Sequence, residues 1–183
     1  AFDVYPSIFH SQTVWAPYAQ YGKDHPEFFA EHDGERIRGN GKLCNSNPAL
    51  ALEIARNMKA ALERRSGIDL LSLSPTDGRG YCQCAECEAL KEKDAAFDQM
   101  ESAAQMTLSN RVAQALEKDF PDQTILVGAY SNYSAPPLNP ELRAHRNIAV
   151  VLCHGQCLAC PVSDPVCDAN RHYADMLHGW KEQ

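Results

Sequence analysis

A chain of 183 residues, 44% hydrophobic and 22% charged, has the composition of a folded domain with a real core, which excludes a disordered segment. Its formal net charge of −7 excludes a nucleic-acid backbone as the expected partner, since that partner selects a basic patch, and no apolar run reaches the length of a membrane span. The acidic balance suits a neutral ligand such as an uncharged sugar without selecting it.

In chain order, the stretch from Phe2 to Phe9 reads as a first strand. Ser46-Asn47-Pro48 then opens a helix, a polar cap followed by proline in the first turn. Leu50, Ile54, Met58, Ala61 and Leu62 recur at helical spacing, and Gly67 is expected to end the helix as a left-handed cap. Ile68 to Leu73 is a short apolar run of the kind found in buried strands. Leu108, Val112, Ala115, Leu116 and Phe120 mark a second helix, closed by Pro121. Thr124 to Tyr130 and Asn147 to Cys153 read as two further strands, and a last helix runs from Asp168 to Trp180.

Apolar strands separated by amphipathic helices indicate an α/β protein with a parallel sheet. No phosphate-cradling glycine motif follows a strand, which favours a (β/α)8 TIM-type barrel over a doubly wound nucleotide fold. A full barrel takes about 250 residues. Residues 1–183 are therefore expected to form a single (β/α)-barrel domain that is a fragment of a larger barrel. No export signal is evident in the sequence, and one is expected to have been removed or to lie outside this stretch.

In such folds the active groups stand at the carboxyl ends of the strands. Those ends carry His10, Gln12 and Trp15; Ser74-Pro75-Thr76-Asp77-Gly78; Tyr130, Asn132 and Tyr133; and His154 and Gln156. Aromatics that stack on pyranose faces, together with amides and a carboxylate that bind hydroxyls, make a sugar pocket. Asp77 is the candidate catalytic group, as acid/base or as the residue that orients a substrate group. The plainer reading of Asp77-Gly78 is a turn. His10, Trp15, Tyr130, Asn132, Tyr133 and His154 are the candidate substrate contacts, although structural histidines are common. A second carboxyl group is not evident at a strand end.

Eight cysteines fall into two groups. Cys82, Cys84 and Cys87 form a tight C-x-C-x-x-C, and Cys44 is placed to supply a fourth thiolate, so a structural zinc and disulfides both fit. A catalytic thiol has less support, because no base is tied to it. Cys153, Cys157, Cys160 and Cys167 are more loosely spaced. Cys157-Leu-Ala-Cys160 has redox or metal spacing, yet a disulfide-stapled loop fits better.

The words His25-Pro-Glu-Phe-Phe-Ala30, Asp33-Gly-Glu-Arg36, Leu43-Cys-Asn-Ser-Asn-Pro48, Ser74-Pro-Thr-Asp-Gly78 and Cys82-Gln-Cys-Ala-Glu-Cys87 follow one another in order. This series resembles the DUF4838-type family of bacterial glycan-degrading proteins, which is related to the barrels of glycoside hydrolase family 20 and to the endo-β-N-acetylglucosaminidases of family 163. The resemblance implies a secreted, periplasmic or cell-surface glycoside hydrolase acting on N-acetylhexosamine-containing glycans. It also implies substrate-assisted retaining hydrolysis, with no cofactor required for catalysis. Asp77 is followed by Gly78, where hexosaminidase-like barrels carry Glu. A non-catalytic carbohydrate-binding barrel is the alternative, and a zinc hydrolase centred on the cysteines a weaker third. The sequence carries no signal for an oligomeric state.

Overall fold

The computed structural model describes residues 2–155 and 157–183. Strand β1 (Val4–Tyr5) is shorter than the expected Phe2–Phe9, because Pro6 has no N–H to continue the ladder. Two single-turn helices follow, α1 (Gln12–Trp15) and α2 (Tyr18–Tyr21). Next comes an antiparallel hairpin of β2 (Glu31–His32) and β3 (Glu35–Arg36). Its turn is Asp33-Gly34, with φ of 51° and 82°, the left-handed pair that a two-residue hairpin loop requires.

Helix α3 (Pro48–Arg64) starts where the Asn47 side chain accepts from the backbone N–H groups of Ala49 and Leu50 at 2.9 and 3.2 Å. It stops at Arg64, and Arg65 is already extended. Gly67 (φ 81°) is therefore not its cap but the turn that feeds the next strand. That strand is β4 (Leu70–Ser72), followed by the single-turn helix α4 (Ala85–Glu88), helix α5 (Ser102–Leu116) and strand β5 (Thr124–Ala129). Strand β6 (Ile148–Leu152) and helix α6 (Asp168–Lys181) complete the order.

The four longer-range strands form one parallel sheet, ordered β1-β4-β5-β6, with Val4 opposite Leu70, Leu70 opposite Thr124 and Ile125 opposite Ile148. Each strand is added beside its predecessor and the order never reverses. This differs from a doubly wound sheet, whose ligand site lies at a reversal of strand order. Leu71, Ile125 and Val127 share a buried core with Leu50, Ile54 and Met58 of α3 and Leu108, Val112 and Leu116 of α5. By strand alternation, Ser72 faces the other side. There its hydroxyl donates to the Ile8 carbonyl at 2.7 Å and lies 2.9 Å from the Ser11 hydroxyl. The segment entering α1 is thereby fastened beneath the strand ends.

Candidate functional site

The loop leaving β4 joins two features. Its first part, Thr76 to Tyr81, forms one wall of an open cleft of about 710 Å³, and the next residue is the first cysteine of the C-x-C-x-x-C cluster. Gly78 and Gly80 let the chain turn there with φ of 83° and 97°. A side chain at Gly80 would come within 2.9 Å of the His32 ring, whose Nε2 lies 2.7 Å from the Gly80 carbonyl.

The opposite wall consists of Phe97, Met100 and Glu101, before and at the start of α5, and of Tyr130 to Tyr133 after β5. Asp77, Tyr130, Asn132 and Tyr133 thus meet in one cleft. His10 reaches its rim, with Nε2 3.6 Å from Asp77 Oδ2, and both side chains are exposed. His10 and Ser131 have φ of 58° and 54°, so two non-glycine residues at this end of the sheet are held in the left-handed region. Such conformations persist only where the surroundings fix them.

Three expected rim residues lie elsewhere. Trp15 is 3% exposed and is a core residue, not a sugar platform: Tyr5 packs edge-on at 5.7 Å and its Nε1 donates to the Ser72 carbonyl at 2.7 Å. A single helical turn followed by core residues draws its indole inward. Gln12 is also buried, donating to Gln105 Oε1 at 3.2 Å. His154 does not line the cleft. Its Nε2 lies 3.0 Å from Asn170 Oδ1, and its ring meets Tyr173 edge-on at 4.6 Å, tying the end of β6 to α6. Gln156 lies outside the described residues.

The cleft also contains groups that the sequence did not single out. Lys42 is buried, donates from Nζ to the Thr76 carbonyl, and sits 4.3 Å above the Tyr81 ring. Burial lowers its pKa to about 8, against the pull of Asp77 and Glu101. Glu101 is 6% exposed, and burial raises its carboxyl pKa even though Lys91 Nζ is 3.6 Å away. Its backbone N–H donates to the Asn132 carbonyl at 3.0 Å, which joins the two segments of that wall. Burial likewise pushes the Tyr81 and Tyr133 hydroxyls upward. In the sequence Glu101 stands one residue before a helix, where an acidic residue is expected for the helix dipole alone. Lys42 stands in a loop with no pattern around it.

Cys44, Cys82, Cys84 and Cys87 converge behind the same loop, each at most 4% exposed. Their four sulfurs lie within 4.8 Å of one another, and Cys44 Sγ is 3.7 Å from Cys84 Sγ and 3.8 Å from Cys87 Sγ. All four are free thiols. A tetrahedral ion with bonds of about 2.3 Å to sulfur requires sulfur–sulfur edges of about 3.8 Å, which these separations match. The surroundings suit thiolates. The Glu31 backbone N–H and Arg36 Nη1 donate to Cys82 Sγ at 3.3 and 3.6 Å, while Ala30 and Ile37 close an apolar shell. Hydrogen bonds from Cys82 and Cys87 hold the Cys44 thiol well below its ordinary range. The cluster can hold a metal ion, and its donor set fits a structural zinc.

A second set, Cys157, Cys160 and Cys167, also has its sulfurs within 4.8 Å of one another, but half-exposed. Cys153 ends β6 apart from them.

The family model described as Domain of unknown function (DUF4838) matches residues 2–182, essentially the whole chain. The chain belongs to that family. No curated protein and no solved structure matches this DUF4838 domain. None of its helices is long and apolar enough to cross a membrane, among the described residues.

Proposed function

We propose that this DUF4838 domain is part of a glycoside hydrolase barrel that acts on N-acetylhexosamine-containing glycans. The observation that carries the reading is a single cleft holding two carboxyl groups in contrasting settings, Asp77 in solvent and Glu101 buried, beside aromatic faces. Environments that separate two carboxyl groups in this way assign one to proton donation and the other to charge or positioning. Glu101, biased toward its protonated form by burial, is the proton donor to the leaving glycosidic oxygen. Asp77, flanked by His10, orients the acetamido group. The acetamido oxygen attacks the anomeric carbon as the glycosidic bond breaks. Water then opens the cyclic intermediate and returns a proton to Glu101.

Tyr130 and Phe97, about half-exposed in the cleft, supply the sugar-stacking surface. The unreversed strand order is that of successive strands in a (β/α)8 barrel, and β6, apolar yet half-exposed along its length, is the edge on which that barrel continues. A polymeric glycan substrate goes with a secreted, periplasmic or cell-surface location. The tetrad, as a zinc site, is structural and takes no part in the chemistry.

The test is incubation with glycoproteins and N-acetylglucosamine-containing oligosaccharides, followed by mass spectrometry of released sugars. A defined oligosaccharide is expected. Asp77→Asn and Glu101→Gln should each lower the rate about 10²–10⁴-fold with circular dichroism unchanged. Saturable glycan binding with no release would replace this reading with a non-catalytic carbohydrate-binding barrel.

A further inference from the structure

We propose that the loop between β6 and α6 is a second metal site, in which Cys157, Cys160 and Cys167 bind a zinc-class cation and leave its fourth position to solvent. The three sulfurs lie within 4.8 Å of one another, close enough to share one ion with bonds of about 2.3 Å after small rotamer adjustments. A disulfide explains the grouping less well. Three thiols converge, all are free, and any one bridge would strand the third.

The backbone favours the metal. Cys167 occupies the N-cap position of the 14-residue helix α6, whose N-terminal end favours a thiolate.

The loop is held in this shape from beneath. Asn170, fully buried in the first turn of α6, donates from Nδ2 to the Cys160 and Pro161 carbonyls at 3.2 and 2.9 Å, while its Oδ1 faces His154. The support is therefore a buried side chain, although the sulfurs themselves are half-exposed. Solvent access sets this site apart from the buried tetrad. Its ion is expected to exchange faster and to leave first on chelation.

The test is zinc content by mass spectrometry of the protein purified from zinc-supplemented medium without reductant or chelator. Two equivalents per chain are expected, falling to one in Cys157→Ser and, independently, in Cys167→Ser. Brief treatment with a chelator should likewise remove one equivalent and leave one. Intact mass under denaturing, non-reducing conditions should equal that of the fully reduced chain. A mass about 2 Da lower with the bridge mapped to these cysteines, the two hydrogens lost in forming a disulfide, would overturn the proposal. So would a zinc content that Cys157→Ser and Cys167→Ser leave unchanged.

Discussion

Cys44, Cys82, Cys84 and Cys87 sit in an apolar shell behind the cleft, while Cys157, Cys160 and Cys167 lie half-exposed on a loop above α6. The residue type is the same and the spacings are similarly short, but the two regions stand differently in the fold. The tetrad joins two separate segments: the chain entering α3, and the loop leaving β4 with the start of α4. An ion there closes a long loop and fixes one wall of the cleft. The second cluster lies within eleven consecutive residues, and its ion would order only that loop. Burial and sequence separation, more than ligand chemistry, decide how much of the structure depends on each cluster.

The largest effect is expected at the tetrad. Structural zinc contributes about 10–16 kcal/mol in small zinc-dependent domains, and here part of that order would support the loop between Gly78 and Met100. Cys84→Ser should release the metal, lower the melting temperature sharply and abolish hydrogen-exchange protection around residues 78–100. Unchanged protection there would show that packing alone holds the loop. A smaller effect is expected on the other side. Asn170→Ala leaves the Cys160 and Pro161 carbonyls and His154 without their partner, at a cost of about 1–3 kcal/mol. It should weaken metal retention by Cys157, Cys160 and Cys167 while leaving the tetrad loaded, and equal loss from both clusters would erase the distinction between them.

The smallest effect is a pH signature in the cleft that the tetrad shapes. Burial raises the Glu101 pKa, so the folded state holds this proton more tightly than the unfolded chain does. That contribution is fully present below the unfolded value, near 4.5, and is lost as pH rises through the folded value. Once ionised, above its folded value, the buried Glu101 therefore opposes folding. Glu101→Gln should raise the melting temperature on the alkaline side of that folded value and leave it nearly unchanged at pH 4, even as it removes proton donation. A lower melting temperature on that alkaline side would mean that the Lys91 contact outweighs burial.

Much of the frame was legible in the sequence because it rests on local rules. The helix from Pro48, the apolar strands and the last helix follow from capping and periodicity, with boundaries shifted by a few residues. The first strand is shorter than its apolar stretch because Pro6 cannot donate to the ladder. At the site, Asp77, Tyr130, Asn132 and Tyr133 were legible from their places after strands. Trp15 lies in the core instead, because strand-end position does not say which way a following helical turn points its side chain. Lys42, Tyr81 and Glu101 left no signal, since each acquires its environment only from residues far away in the chain.

By itself the sequence determined the alternation of strands and helices, the Asp77 loop and the thiol-rich segment after it, because each depends on neighbours a few residues apart. Only the tertiary structure decided that the strands add in chain order, that Cys44 joins three cysteines some forty residues later, and that Glu101 comes to lie buried in the same cleft as Asp77. Those outcomes depend on which segments burial brings together. The apolar faces of α3, α5 and the sheet decide that jointly, and no short window of sequence contains all three.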